Sequence, residues 1–325
     1  MPQQKRGKTM YQQRYLITGG TGFIGTPLVK QLLQNDQQVT VLTRDIVKTA
    51  NHFADVMDGH KNKVTAIDDL DSLNPEITFD VVINLAGQGI ADKRWTPQIK
   101  KQLIDSRVKT TKALCEYLED SLVKPDVFIS GSALGYYGLG VADDHNAHNA
   151  PVDENGEPDN SFSSQLCVAW ENEAKCIEKL GIRTCYLRTG IVLGKNGGAL
   201  SKMLPSFKLG LGGPMGSGKQ WMPWIHRDDL IAMIHFIVEN DEISGAVNGT
   251  APNPVSNEEF SKVLGKVLKR PAFIPMPAFV LKLMLGEMAE ELLLAGRRVV
   301  PAKMMQAGYE FTFADLEKCL LNIKD

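Results

Sequence analysis

Near the start of the chain three glycines recur at three-residue intervals, Gly19, Gly22 and Gly25 in TGGTGFIG (residues 18–25), directly after the apolar run YLITG and before a helical pattern. Glycine lets a backbone turn approach a pyrophosphate because it has no side chain to block the way. The helix that opens behind the turn adds unpaired N–H groups and a partial positive charge. Strand, turn and helix stand in the order a dinucleotide fingerprint requires. The expected phosphate-facing turn comprises Gly19, Thr21, Gly22, Phe23, Ile24 and Gly25. A second glycine-rich stretch, GPMGSGKQ (213–220), fails as a mononucleotide loop: Gln220 stands where a magnesium-binding hydroxyl is needed, and no buried strand precedes it.

The next apolar run, QVTVLTR, ends in Thr43 and Arg44, with Lys48 shortly after. An acidic side chain at this point would accept hydrogen bonds from a ribose 2′-OH, whereas a 2′-phosphate demands a cation. NADP is therefore the expected cofactor. A competing role for Arg44 is a surface ion pair with its neighbour Asp45, which would be worth little.

Such residues need a scaffold. Runs of strand length occur at 15–19, 38–44, 63–68, 79–87, 126–133 and 182–193, rich in Val and Ile, and helical segments such as TPQIKKQLIDSRVKTTKALCEYLED lie between them. This alternation predicts an α/β fold, a Rossmann-like doubly wound parallel sheet, with a smaller and mostly helical C-terminal part. The expected division is a tail over 1–12, with Met10 as a candidate true start, a dinucleotide-binding domain over 13–194 and a substrate-side part over 195–325. Within the last, 216–245 should pack back on the sheet. The polar stretch 143–160 reads as a flap or rim.

With 36 basic and 38 acidic residues and no long run of one sign, the chain lacks the footprint of a nucleic-acid or anionic-membrane binder. Small molecules are the expected partners. The start has no apolar core of a signal sequence, and no stretch reaches the ~18 apolar residues of a membrane span. Five scattered cysteines without a C-x-x-C pair suggest reduced thiols, a cytoplasmic location and no metal site.

Taken with INLAG (83–87), SGSALGYYG (130–138) and GSGKQWMPWIHRDDL (216–230), the glycine turn resembles that of the extended short-chain dehydrogenase/reductase superfamily. INLAGQGIADKRW, LRTGIVLG, LGLGGPMGSGKQ and RRVVPAKMMQAGYEF resemble its uncharacterised "epimerase family" branch, which ends in a short domain of unknown function, here about 275–322. The resemblance implies that Leu85, Ala86 and Gly87 lie beside the cofactor. It also implies a Tyr-x-x-x-Lys pair, since a free phenol titrates near ~10 and needs an adjacent ammonium to act as a base. Aligned through Glu171, those positions hold Ser163 and Cys167. Both members of the pair are lost, although i to i+4 spacing keeps the two on one helix face.

Ser132 matches the superfamily serine, and Tyr137 or Tyr136 beside it is the candidate proton donor. Cys167 is either a thiol acid or a small core residue. Lys93, Arg94 and Trp95 follow the fourth strand, where they would seat an acidic or aromatic substrate. His226 is a further pocket candidate, and Asp228 or Asp229 should cap the helix after it. Sugar-nucleotide enzymes of the superfamily read Arg-Asp where this chain has Met222-Pro223, which disfavours a nucleoside-diphosphate-sugar epimerase or dehydratase. An NADP-dependent oxidoreductase acting on a small molecule is the leading expectation. An NADP(H)-binding regulatory protein without turnover is its rival.

Overall fold

Val81, Val82 and Ile83 are fully buried, as are Ile17, Val41 and Ile129. Strands buried on both faces need helices on both sides, and the order of elements supplies them. The computed structural model describes residues 12–54, 64–73, 76–139 and 149–324. The first half runs β1 (Arg14–Thr18), α1 (Gly25–Gln34), β2 (Gln38–Leu42), α2 (Ile46–His52), β3 (Val64–Ile67), β4 (Val81–Asn84), α3 (Pro97–Asp120), β5 (Val127–Ala133) and a 3-10 turn (Leu134–Tyr137). It continues with α4 (Phe162–Lys179), β6 (Arg183–Thr189), β7 (Ile191–Leu193), α5 (Gly198–Lys208), β8 (Trp221–Met222), β9 (Trp224–His226), α6 (Arg227–Glu239) and β10 (Gly245–Gly249). The chain then forms β11 (Val255–Ser256), α7 (Asn257–Leu268), α8 (Ala278–Leu285), α9 (Glu287–Leu292), α10 (Ala302–Gln306) and α11 (Leu316–Lys324).

Seven strands form one parallel sheet in the order β10-β6-β5-β4-β1-β2-β3. The fold is Rossmann-like, with a helical C-terminal region. Order reverses between β1 and β4, so the ends of those two strands open the crevice where ligands of such sheets bind. One face of the sheet packs with Leu28, Leu32, Ile231 and Ile234 of α1 and α6, and the other with Leu114, Leu118, Ala174 and Ile177 of α3 and α4. A separate cluster, including Trp224, Phe260, Leu264 and Leu320, organises the C-terminal helices.

Three sequence expectations meet corrections here. The apolar run 182–193 is two strands: β6 stays in the sheet, while β7 leaves it to pair with β9. The break falls at Gly190, where a Cβ would stand 2.6 Å from the Pro223 carbonyl oxygen. Capping of α6 falls to neither aspartate, because the His226 Nδ1 accepts the Asp228 N–H at 3.1 Å. Asp229 instead takes the N–H groups of Thr312 (3.0 Å) and Phe313 (2.8 Å), pinning the C-terminal segment to α6.

The third correction concerns the thiols. Cys115 of α3 and Cys176 of α4 are joined by a disulfide, and the other three cysteines are free and buried. Packing of α3 against α4 sets the two Cα atoms 6.3 Å apart, a separation a disulfide spans. Partners on two helices, 61 residues apart, leave no spacing signal in the sequence. Among the described residues no helix is long and apolar enough to cross a membrane.

Candidate active site

The glycine turn is built by close backbone approaches. Gly19 has φ +69°, and a Cβ there would stand 2.6 Å from the Leu85 carbonyl oxygen; a Cβ on Gly25 would stand 2.2 Å from the Gly19 carbonyl oxygen. The turn therefore lies flat against the end of β4 and feeds directly into α1. A buried polar chain locks the two strand ends together. The Thr18 hydroxyl donates to Asn84 Oδ1 (2.6 Å) and accepts from the Ala86 N–H (3.1 Å), while Asn84 Nδ2 donates to the Thr111 hydroxyl of α3 (2.8 Å). Leu85, Ala86 and Gly87 are thereby fixed beside the turn. Phe23 points the other way, against Gly194, Gly197 and Gly198, with the Arg227 guanidinium 4.9 Å from its ring centre.

Two features suit a dinucleotide phosphate here. Helices α2, α3, α4, α6 and α7 are each capped by a side chain, from Asp45, Thr96, Ser161, His226 and Ser256, whereas α1, like α5, α8, α9 and α10, has no side-chain cap. In the first turn of α1 the Thr26 N–H donates to the Gly22 carbonyl at 2.9 Å and Pro27 has no N–H, so of that turn only the Gly25 N–H remains for an anion. At the end of β2, Arg44 is exposed and pairs with no described residue. The competitor considered for it is occupied: Asp45 Oδ1 accepts the Lys48 N–H at 2.9 Å. Thr43 is half-buried and accepts a hydrogen bond from the Thr49 hydroxyl at 2.8 Å.

The helix that should carry the proton-transfer pair is α4. Ser163 and Cys167 are both buried on one side of it. Glu291 of α9 accepts the N–H groups of Phe162 (3.0 Å) and Ser163 (2.8 Å), placing a carboxylate on the positive end of the helix. Burial pushes the Cys167 thiol up to about 11, with the Glu171 carboxylate adding to the rise, so it is protonated at neutral pH.

Ser132 and Tyr137 turn out to belong to one buried network. The Ser132 hydroxyl donates to Glu171 Oε1 at 2.7 Å. Arg188 grips the same carboxylate through Nε (2.8 Å) and Nη2 (2.9 Å), and its Nη1 donates to the Tyr137 hydroxyl at 3.0 Å. That hydroxyl donates onward to Asn248 Oδ1 at 2.6 Å. Glu154 continues the network by accepting the N–H groups of Asn248 and Lys303, both at 3.1 Å. The phenol of Tyr137 is fully buried, and burial pushes it up to about 12 against the lowering by Arg188. Its hydroxyl therefore positions Arg188 and is withdrawn from the proton-donor role expected of it. Tyr136 is half-buried, and its ring carries the Arg188 guanidinium at 3.4 Å.

One consequence is measurable. Tyr137→Phe should destabilise the protein by about 1–3 kcal/mol, because Arg188 and Asn248 each lose a buried partner. NADPH affinity should stay within twofold. Urea unfolding compared with a cofactor titration checks both, and an unchanged unfolding midpoint would contradict the positioning role.

The expected substrate residues separate. Trp95 is 8% exposed; its Nε1 donates to the Ile90 carbonyl at 2.9 Å, and its ring meets Phe162 edge-on at 4.8 Å. It is a core residue of the loop, not a platform for substrate, because the loop folds back on α3 and α4. His226 is buried and stacked on Phe313 at 4.0 Å, and burial lowers its pKa against Asp228 and Asp229. It is a helix cap, not a pocket group. Lys93 and Arg94 remain exposed on the loop. Asp92 of the same loop pairs with Lys202 of α5 at 3.0 Å, tying the loop across to the C-terminal part.

Residues 15–248 match the model of the NAD dependent epimerase/dehydratase family. The chain belongs to that family. Residues 276–323 match a domain of unknown function (DUF1731), which holds α8 to α10 and most of α11. Over 312 residues the chain is 37% identical to the epimerase family protein SDR39U1 homolog, chloroplastic, of Arabidopsis thaliana, covering 95% of this chain and 86% of the relative. It is likewise 37% identical to the epimerase family protein YfhF of Bacillus subtilis over 304 residues, 94% of this chain and 95% of the relative. The crystal structure of human epimerase family protein SDR39U1 (isoform2) with NADPH superposes with a TM-score of 0.82 at 33% identity, covering 95% of this chain and 98% of the human one.

Within this family member the sequence reading passes over Arg107, Glu171 and Arg188 as functional groups. Arg107 donates to the carbonyls of Gln88 (3.1 Å) and Leu103 (3.0 Å), holding the loop after β4. A signal for the Glu171–Arg188 pair does exist: Arg188 interrupts the apolar run TCYLRTG, where a charge survives only with a buried partner.

Proposed function

We propose that this chain is an NADPH-dependent oxidoreductase that reduces a small, acidic carbonyl compound. The observation that carries the cofactor choice is Arg44, an exposed cation at the end of β2 that pairs with no described residue. The human relative solved with NADPH supports the same reading. NADPH supplies a hydride when bound. The chain's part is to hold the phosphates on the glycine turn and α1, to fix the Leu85–Gly87 segment through Thr18 and Asn84, and to deliver a proton.

The proton side favours reduction over its reverse. Oxidation of a hydroxyl starts with proton removal, which needs a base titrating near neutrality. Cys167 is held protonated, and the Ser132 hydroxyl is engaged with Glu171. Neither group is therefore available as a base for the oxidative direction. Lys93 and Arg94, exposed on the loop after β4, are the cations offered to an acidic substrate. A second reading, cofactor binding without turnover, draws on the commitment of Ser132 and Tyr137 to the buried network. A panel of aldehydes, ketones and quinones separates the two: NADPH oxidation above background supports the reductase, and tight binding with no turnover supports its rival.

For the cofactor, wild-type protein should bind NADPH more tightly than NADH. Arg44→Ala should remove a charge-assisted bond of about 1.5–3 kcal/mol, narrowing the preference by about ten- to hundredfold. Fluorescence titrations read both constants. Equal wild-type affinities for the two cofactors would overturn the assignment.

A further inference from the structure

Away from the glycine turn, α5, α7 and α11 enclose a groove of about 290 Å³. Its floor is closed by the buried Leu200, Leu264, Leu320 and Ile323, its accessible apolar lining comes from the half-buried Leu204 and Leu268, and its rim carries Lys195, Lys208 and Lys324. Among the described residues no acidic side chain lines it. Lys324 donates to the Val267 carbonyl at 3.0 Å, whereas the ammonium groups of Lys195 and Lys208 are exposed and pair with no described residue. Three cations around a leucine-lined floor complement one kind of ligand, an anionic head on an apolar chain. The volume sits at the lower edge of the ~300–1,000 Å³ of small-molecule pockets, which suits a single short chain and excludes a long acyl group or a partner helix.

We propose that this groove is a binding site for a medium-chain carboxylate, and that its occupancy tightens cofactor binding. The route for the second half is short. Gly194, Lys195 and Asn196 form one wall of the groove. The same segment, through Gly194, Gly197 and Gly198, packs on Phe23 of the glycine turn, and the Lys195 carbonyl accepts from Arg227 Nη1 at 3.2 Å. A ligand that braces residues 194–198 braces the turn behind which they lie. This coupling rests on the NADPH reading; carboxylate binding itself does not.

The test is calorimetric titration of the full chain with decanoate, first without cofactor. Saturable one-to-one binding is expected, weakening by about fourfold for each methylene removed toward octanoate and hexanoate. The double variant Lys195→Glu/Lys208→Glu, at two exposed positions that leave the fold intact by circular dichroism, should bind at least tenfold more weakly. Uncharged 1-decanol should also bind at least tenfold more weakly than decanoate. Absence of saturable binding, equal affinity in the double variant, or equal affinity for decanol would overturn the site. So would a dimer in sedimentation velocity that the lysine substitutions dissociate, since the groove would then be covered by a second copy.

The coupling is read separately. Saturating decanoate should lower the NADPH dissociation constant by about fivefold or more, and NADPH should tighten decanoate by the same factor. An unchanged NADPH constant would overturn the coupling alone. Displacement of decanoate by NADPH would place the carboxylate in the cofactor site and overturn both halves. Failure of NADPH to bind at all, with decanoate binding intact, counts against the cofactor reading rather than against the groove.

Discussion

Glu171→Gln is expected to cost the protein about 3–5 kcal/mol of stability, the penalty for stranding one member of a buried ion pair. The side chains of Arg188 and Glu171 are only 5% and 7% exposed, and the carboxylate takes two guanidinium bonds besides the Ser132 hydroxyl. An amide keeps the shape but removes the charge that balances Arg188. Urea denaturation should show the loss directly. The stronger form of the test is the double variant Glu171→Met/Arg188→Met, which should recover much of it, because apolar residues of similar size need no partner. If Glu171→Gln instead leaves the unfolding midpoint in place, the pair is not structural and the network reading fails.

Two substitutions in the glycine turn should differ in kind. Gly22→Val should abolish NADPH binding, a loss on the order of a hundredfold or more, equivalent to about two anion-to-N–H bonds of ~1.5–3 kcal/mol each. Its Cβ would stand 3.1 Å from the Gly19 carbonyl oxygen, a contact that a small shift relieves, so the thermal midpoint should change little. Gly25→Val should lose binding and stability together. Its Cβ would meet the Gly19 carbonyl oxygen at 2.2 Å, and only backbone movement relieves that. Thermal melts alongside cofactor titrations distinguish the pair. A Gly22→Val protein that still binds NADPH at wild-type strength would remove the phosphate assignment.

The sheet and the glycine turn were legible because their causes are local. Runs of Val and Ile declare buried strands, and three glycines at fixed spacing declare a close backbone approach. What escaped was set by packing between distant segments. Nothing in GQGIADKRWTP distinguishes a tryptophan that greets a substrate from one that folds back on Phe162. The histidine before Asp228 looks like a pocket group until its Nδ1 is seen capping α6. Tyr137 illustrates the same limit: its partners Arg188 and Asn248 are 51 and 111 residues away in the chain. Where a residue's role depended on its own backbone, sequence sufficed; where it depended on a partner's position, it did not.

The place of β10 in the sheet sets a timing problem for biosynthesis. Gly245–Gly249 pairs with Cys185–Thr189 of β6, yet residues 190–244 must be made between them. At about 5–20 residues per second, a nascent chain carries the open edge of β6 for about 3–11 s before its partner arrives. During that interval the row of unpaired N–H and C=O groups along β6 is a template for pairing with another chain. The arginine in the middle of that strand then serves a second end: until Glu171 and Tyr137 close around it, Arg188 sets a charge on the strand, and a charged strand is a poor template for stacking with its own copies.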